Sequence, residues 1–305
     1  MQTVKTYRYI LDPSSKKYKC PNCGRFSWVI FIDSETGEMM ESYGRCDRES
    51  KCGFFYHPSK DGFQNIKTSV IVENSFFETA PNFHKNDLVE LSMNYDNNFL
   101  KYLKFLFGYS TANSIKNKYK IGTLPEFNYG TVFWQIDDRQ KVRAGKVIQY
   151  FDTGRRTKNI TWMHQFLKKK NEILDFNLSQ CLFGLHLTKD DKTSVIALVE
   201  SEKTACVMSV IFPEFLWLSC GAKGEFKLKK LEPLKHRKII AYPDCEIQKN
   251  GFTTYQEWKR KEAELNAKGF DIYVSNLLEK QAKIGQKTEG IDIADFFMKK
   301  FLKSK

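Results

Sequence analysis

Four cysteines near the start of the chain are arranged in two pairs, and their spacing constrains the fold more than any other local feature. Two residues separate Cys20 from Cys23, and five separate Cys46 from Cys52. Two such pairs, joined by a hairpin, can direct four thiolates at one metal ion from two tight turns. The spacing therefore predicts a structural zinc ribbon over residues 1–60.

The segment between the two cysteine pairs has the pattern of a hairpin. Trp28–Ile32 is predicted to be a strand, Asp33–Gly37 a turn and Met39–Arg45 the returning strand. Gly24 and Gly53 each follow a cysteine pair, where the backbone must bend around thiolates. The hairpin is thus the scaffold that would bring the two cysteine pairs together.

Two alternatives to a four-cysteine zinc site remain open. The cysteines could form two disulfides, although the chain starts without a secretory signal and has no apolar run of transmembrane length. His57 could replace Cys52 as the fourth ligand. We expect a cytoplasmic protein without a membrane partner, in which four further cysteines are reduced: Cys181, Cys206, Cys220 and Cys245.

The charge balance points to a polyanionic partner. The 305 residues carry 49 Lys and Arg against 36 Asp and Glu, a formal net charge of +13, and 14% are aromatic. Basic, aromatic-rich proteins commonly bind nucleic acid, although charge alone is weak evidence.

The remainder of the chain is long enough for two more domains. Pro58–Gly62 is a predicted boundary, followed by a basic α+β domain over residues 61–178. Within it, apolar spacing from Asn86 to Lys118 is helical, and Val132–Ile136 with Val142–Tyr150 forms a predicted hairpin.

Residues 179–305 alternate short apolar strands with helices. This pattern predicts an α/β domain with a mostly parallel sheet and helices on both faces. The predicted strands are Val195–Val199, Phe215–Leu218, Ile239–Tyr242 and Asp271–Val274, with helices from Thr204 and over Thr254–Lys268.

Carboxylates follow two of these strands. Glu200 comes directly after one strand, and Asp244 and Glu246 come just after another. Because working residues of parallel sheets stand at the carboxyl ends of strands, we predict that these three converge and hold Mg²⁺ or Mn²⁺. Glu202 is expected to point away or to act behind the ligands. The alternative is that Glu200 is an acidic helix cap and Asp244 a turn residue.

Basic residues gather on and after the predicted hairpin of the middle domain. Their candidate role is to contact nucleic-acid phosphates, and the alternative is a solvated charged face. The candidates on the hairpin are Lys141, Arg143 and Lys146, and those in the following predicted loop are Arg155, Arg156 and Lys158. Tyr150, Phe151 and Trp162 lie among them and could stack on unpaired bases or belong to the core.

The C-terminal motifs resemble the Toprim fold of bacterial primases, topoisomerases and some nucleases. The resemblance rests on Glu200 with its following helix, on Asp244 and Glu246 after a strand, on the glycine-rich turn Gly221–Gly224 and on the acidic segment from Asp292 to Asp295. It implies that Glu200, Asp244 and Glu246 are catalytic and bind one or two Mg²⁺ ions. Glu246 stands where the family has aspartate, Ser201 where it has glycine, and Cys23 where replicative primases have histidine.

The order of parts, zinc ribbon, basic middle domain and Toprim-like domain, resembles bacterial and phage DNA primases, and more closely the primase-like proteins of plasmids and mobile elements. The resemblance implies an enzyme that makes RNA primers from nucleoside triphosphates on single-stranded DNA, with a separate helicase as partner because no P-loop follows. Two other functions remain open: a Toprim nuclease, and a non-catalytic DNA-binding replication or mobilisation protein.

Overall fold

The computed structural model describes residues 4–14, 16–48, 51–63, 67–70, 81–248 and 252–301. The chain divides into two compact units, Met1–Glu78 and Thr79–Lys305. The first contains the cysteine pairs. The second contains both the predicted middle and C-terminal domains, and their separation near residue 179 stays a prediction. Among the described residues, no helix is both long enough and apolar enough to span a membrane.

The first unit is built around one antiparallel hairpin. Its strands are β1 Val4–Tyr7, β2 Tyr9–Leu11, β3 Tyr18–Lys19, β4 Phe26–Asp33, β5 Met39–Cys46, β6 Phe55–Tyr56 and β7 Lys67–Val70. Strands β4 and β5 pair as predicted from the sequence, and β2, β3 and β6 extend that sheet. Trp28 and Ile30 are buried beside Cys20 and Cys46, so the small core of this unit lies against the cysteines.

The second unit begins with three helices, α1 Asn86–Ser92, α2 Asn98–Phe107 and α3 Tyr109–Tyr119. The helical spacing of this region is confirmed, with two interruptions. Asn97 caps α2 by accepting a hydrogen bond from the backbone N–H of Leu100 at 2.9 Å. Gly108, with φ of +82°, separates α2 from α3.

An antiparallel sheet of four strands follows these helices. Its strands are β8 Ile121–Leu124, β9 Gly130–Ile136, β10 Val142–Tyr150 and β11 Arg156–Trp162, in the order β11-β10-β9-β8, and α4 Met163–Lys169 follows them. The predicted hairpin corresponds to β9 and β10. The sequence predicts a loop over Gly154–Lys158. This prediction is wrong from Arg156 onwards, because Arg156–Trp162 pairs with β10 as an edge strand.

The last sheet is parallel throughout, as the alternating pattern predicted. Its strands are β12 Ile196–Val199, β13 Leu216–Ser219, β14 Lys238–Ala241 and β15 Asp271–Val274, in the order β13-β12-β14-β15. The helices around it are α5 Glu202–Ile211, α6 Leu228–Leu231, α7 Thr254–Asn266, α8 Leu277–Gln281, α9 Ile284–Glu289 and α10 Ile293–Phe301. Because β12 and β14 are adjacent, the segments that leave their carboxyl ends emerge side by side.

Two apolar clusters cover the two faces of the parallel sheet. On one face, Val199 and Cys206 pack in a cluster that continues to Phe99 and Phe133 of the antiparallel layer. On the other face, Leu198 packs in a cluster with Trp258 of α7. Helices therefore lie on both faces, and a continuous core links the two sheets of this unit.

Three stacked rings pack against the antiparallel layer. His84 and His164 lie on Phe176, with ring centroids 4.5 Å and 5.4 Å from it. His84 is buried, its Nε2 has no hydrogen-bond partner among the described residues, and burial lowers its pKa to about 4. The imidazole of His84 is therefore neutral near pH 7 and stacks on Phe176 as an uncharged ring.

This stack predicts a pH-dependent term in stability. The pKa of His84 is lower in the folded chain than the ordinary value near 6.5. The stability that neutral His84 contributes to the fold is therefore fully present above pH 6.5 and is lost as pH falls toward 4. His84→Phe keeps the stacked ring and removes the titration. We expect about 2 kcal/mol less loss of stability between pH 7 and pH 5 in the variant, measured by urea unfolding. His236→Phe, at an exposed position, is the control and should lose as much stability as wild type. The prediction would be contradicted if the free energy of unfolding had the same pH dependence in His84→Phe as in wild type and in this control.

Candidate active site and zinc site

The four cysteines of the first unit form one cluster. Their sulfur atoms all lie within 4.8 Å of one another, with Cys20 Sγ 3.8 Å from Cys52 Sγ and Cys23 Sγ 3.9 Å from Cys46 Sγ. Tetrahedral zinc with bonds near 2.3 Å places its sulfurs roughly 3.8 Å apart. All four thiols are free, so the disulfide alternative is wrong. The cluster supports a structural zinc site.

His57 is not part of this cluster. Its Nδ1 accepts a hydrogen bond from the backbone N–H of Ser59 at 3.1 Å and caps a short 3₁₀ helix, Pro58–Asp61. The proposal that His57 replaces Cys52 is therefore wrong, and the fourth position belongs to the cysteine.

Hydrogen-bond donors around the sulfurs favour the charged form that a metal requires. The backbone N–H of Arg25 lowers the pKa of Cys23 to about 6, and the side-chain amide of Asn22, 3.4 Å from Cys52 Sγ, lowers the pKa of that thiol. Burial raises the pKa of Cys20 to about 11. Metal binding would have to displace that proton, so zinc affinity should fall at acidic pH.

In the second unit, Glu200 follows β12 and Asp244 follows β14, and both line one cleft of about 360 Å³. Burial raises the pKa of Glu200 to about 7, and raises that of Asp244 well above its ordinary value, with Glu200 as the next cause. Glu200 Oε1 is buried and has no hydrogen-bond partner among the described residues. These carboxylates fit a divalent cation, because no cation within the described part of the chain forms an ion pair with either of them and Glu200 Oε1 has no hydrogen-bond partner there.

Glu246, the third predicted acid, is engaged next to this cleft and does not line it. Its Oε1 accepts hydrogen bonds from Lys223 Nζ at 3.1 Å and from the N–H and hydroxyl of Thr254, both at 3.2 Å. Its charge still contributes to the raised pKa values of Glu200 and Asp244. Glu246 therefore acts on the cleft through its field and its lysine partner.

Asp292 also lines the cleft, and in the sequence it was marked only as part of an acidic segment that resembles the Toprim fold. It is buried, and its Oδ2 accepts a hydrogen bond from Thr204 Oγ1 at 2.5 Å. Its Oδ1 accepts from the N–H of Asp295 at 2.7 Å at the start of α10. In the sequence, the spacing of Asp292 and Asp295 marks an acidic segment. It does not show that the chain returns to the carboxyl edge of the parallel sheet.

Glu202, which the sequence predicts to point away or to act behind the ligands, also lines the cleft. It is 2% exposed, and Lys146 Nζ donates to its two oxygens at 3.1 and 3.3 Å. The same ammonium group donates to the carbonyl of Gly221 at 2.7 Å. Lys146, predicted to contact phosphate, therefore has its charge matched inside the protein.

The other predicted basic residues lie in three kinds of place. Arg156 is exposed and lines the cleft, where it joins Lys203 and Lys223. Arg143 donates from Nε to Oδ2 of the buried Asp137 at 2.6 Å. The remaining three are exposed and lie outside the lining of the cleft: Lys141, Arg155 and Lys158.

The three aromatic candidates also separate. Tyr150 is buried in the core, whereas Phe151 is 57% exposed and Trp162 half-buried. Around the cleft, carboxylates therefore stand opposite cationic side chains. This arrangement can hold a divalent cation beside phosphate groups.

Two family models match parts of the chain. A zinc beta-ribbon finger matches residues 7–68, and Domain of unknown function DUF6371 matches residues 97–245. A search of curated proteins finds no match.

The solved structures to which the chain is similar include bacterial and phage DNA primases. The RNA polymerase domain of Mycobacterium tuberculosis primase DnaG is 12% identical with a TM-score of 0.44, over 70% of this chain and 77% of that one. The Aquifex aeolicus primase, with zinc-binding and RNA polymerase domains, is 12% identical with a TM-score of 0.41, over 97% and 78%. The primase fragment of the bacteriophage T7 primase-helicase is 14% identical with a TM-score of 0.36, over 85% and 89%.

The zinc site predicts metal-dependent folding of the first unit. Chelation, or Cys46→Ser, should expose the first unit to proteolysis and leave the second protected, because so small a piece buries little core. Metal analysis should find one zinc per wild-type chain.

Cys181→Ser, at a buried thiol outside the cluster, is the matched control and should retain zinc. A wild-type protein without zinc, or a first unit that resists protease equally after chelation, would contradict the assignment.

Proposed function

We propose that this chain is a primase-like, divalent-metal-dependent nucleotidyltransferase that binds single-stranded DNA and joins ribonucleotides. The observation that carries the proposal is the cleft in which Glu200, Asp244 and Asp292 stand with Arg156 and Lys223. Carboxylates without enough compensating charge suit Mg²⁺ or Mn²⁺, and the cations suit triphosphate oxygens.

Glu200 and Asp244 are the residues that would hold the cation. A bound Mg²⁺ or Mn²⁺ would neutralise charge on the triphosphate and on an attacking 3′-hydroxyl. Arg156 and Lys203 are placed to bind phosphate, since both line the cleft and neither forms an ion pair among the described residues. Asp292 positions the start of α10 against Thr204 of α5, and so fixes the wall behind the acidic edge.

The finer parts of the proposal rest on sequence resemblance. The parallel sheet with its acidic edge fits the Toprim pattern, and the zinc ribbon fits the layout of primase-like proteins of mobile elements. In that setting the chain would act in the cytoplasm with nucleoside triphosphates and a separate helicase.

A second function, a non-catalytic DNA-binding replication or mobilisation protein, is favoured by one observation. Glu246 is bonded to Lys223 and Thr254, so an acid that the Toprim pattern assigns to metal is already engaged. A Toprim nuclease would use the same acids and is separated from a primase by assay. Labelled RNA made from nucleoside triphosphates identifies a primase, and strand shortening without them identifies a nuclease.

Asp244→Asn tests the catalytic role of the acidic edge. It removes one negative charge and nearly keeps the shape of the side chain. We expect RNA synthesis on single-stranded DNA with Mg²⁺ or Mn²⁺ to fall about 100-fold or more. Thermal stability should hold or rise, because repulsion from Glu200 and Asp292 is relieved.

Asp271→Asn is the matched control, since Asp271 is exposed at the amino end of β15, the opposite edge of the same sheet. Its RNA synthesis should equal that of wild type. Full activity in Asp244→Asn would remove the acidic edge from the mechanism and favour the binding function.

Arg155→Ala with Arg156→Ala tests the phosphate contacts at the start of β11. The double variant should bind single-stranded DNA more weakly for all sequences, with the salt slope reduced by about 1.4. Lys189→Ala with Lys192→Ala makes the same charge change at exposed positions outside the cleft and should keep the slope. Binding that becomes sequence-dependent while the slope stays fixed would instead assign base reading to these arginines.

A further inference from the structure

A second cleft lies on the opposite face of the β10–β11 hairpin. Successive strand residues point to opposite faces. Ile148 and Arg156 line the acidic cleft, whereas their neighbours Gln149 and Thr157 line the second one, which has a volume of about 690 Å³. We name it the amide pocket, and its lining includes four amide side chains and two aromatic rings: Asn98, Asn128, Gln149, Asn159, Tyr129 and Phe151.

Hydrogen bonds fix the orientation of the amides. Asn159 Nδ2 donates to Gln149 Oε1 at 2.7 Å, and Gln149 Nε2 donates to the carbonyl of Phe127 at 2.9 Å. Asn98 Nδ2 donates to the carbonyl of Tyr150 at 2.9 Å. Within the described part of the chain, Asn98 Oδ1, Asn159 Oδ1 and the whole amide of Asn128 have no hydrogen-bond partner. The two oxygens can accept hydrogen bonds, and the amide of Asn128 can both donate and accept, which suits the donors and acceptors on nucleobase edges.

Two aromatic rings lie among these amides. Tyr129 and Phe151 line the pocket and are each 57% exposed. Rings in such a position offer stacking faces to a flat ligand.

The backbone conformation at Tyr129 independently supports a binding role for its ring. Tyr129 has φ of +53° and follows Asn128 at +50°, so both occupy the left-handed region that disfavours a bulky side chain. Strained positions of this kind cluster at binding sites. A glycine would fit this turn more easily, yet the chain holds an exposed aromatic ring there.

The charge of the amide pocket differs from that of the acidic cleft. Asp96 is bonded to Lys104 Nζ at 2.8 Å, and Lys101 is exposed and forms no ion pair within the described residues. The described lining of the pocket therefore offers one unpaired cation and several amides, which suit a neutral base with a single neighbouring phosphate. They do not suit a triphosphate.

We propose that the amide pocket binds an unpaired nucleobase of a single-stranded nucleic acid, which stacks on Tyr129 and Phe151. The strand would cross the edge strand β11, where the exposed Arg156 and Lys158 can meet its phosphates. The pocket adjoins the acidic cleft at Tyr150, which lines both, and contains none of the carboxylates Glu200, Asp244 and Asp292. The inference rests on the single-stranded DNA binding of the proposed function, and a binding measurement tests it without RNA synthesis.

The test compares Tyr129→Gly with wild type, using the full zinc-loaded chain and a fluorescently labelled single-stranded oligonucleotide. Glycine removes the ring and relaxes the positive φ, so thermal stability should hold. Fluorescence anisotropy should show binding weakened by about 5- to 100-fold. On a strand of the same length with abasic sites, wild type and variant should bind equally.

Two control variants isolate the cause. Asn171→Gly relaxes a positive φ outside the pocket, and Phe105→Ala removes an 84% exposed ring outside it; both should bind as wild type does. DNA and RNA strands of one sequence are tested in parallel, and the loss in either identifies the strand that the pocket takes. Wild-type affinity in Tyr129→Gly, or an equal loss on the abasic strand, would overturn the proposal.

Discussion

The cleft of the second unit is organised around one buried ion pair, between Lys146 of β10 and Glu202 at the start of α5. Their side chains are 12% and 2% exposed, and the ammonium group also binds the carbonyl of Gly221 after β13. This contact joins the antiparallel sheet to the carboxyl edge of the parallel sheet. Removing one partner would leave a buried, uncompensated charge, so this contact, together with the apolar core that the two sheets share, holds them in place at the cleft.

The acidic side chains around this ion pair differ in whether a lysine balances their charge. Glu202 is neutralised by Lys146, and Glu246 is engaged by Lys223. Among the residues that the structure describes, no cation forms an ion pair with Glu200 or Asp244, and burial raises the pKa of each. Stability alone would not select this arrangement, since repulsion and desolvation both oppose it. A divalent cation would supply the missing charge, in keeping with the proposed catalysis at this edge and the proposed base binding on the other face of the hairpin.

Local patterns predicted the parts whose causes are local. The cysteine spacing predicted the ribbon, and alternating apolar runs predicted the parallel sheet with Glu200 and Asp244 after its two central strands. Gly154–Lys158 was expected to be a loop, because its polar residues give no local strand pattern. Arg156–Lys158 belongs to β11 because it pairs with β10, which is a tertiary contact.

The partner of Lys146 could not be predicted either, since Glu202 lies 56 residues away in the chain. The same is true of Asp292, which reaches Thr204 across 88 residues. The basic and acidic residues were found as separate groups, and their opposition across one cleft is a property of tertiary structure alone.

Direct measurement of Mn²⁺ binding to the zinc-loaded chain, by electron paramagnetic resonance, tests the central claim that the acidic edge holds a divalent cation. We predict saturable Mn²⁺ binding that strengthens as pH rises through about 7, because Glu200 must lose its proton to serve as a ligand. Binding should be lost in Glu200→Gln and unchanged in Glu264→Gln, which makes the same substitution on the exposed face of α7. Absence of Mn²⁺ binding in wild type, or equal binding in Glu200→Gln, would contradict it.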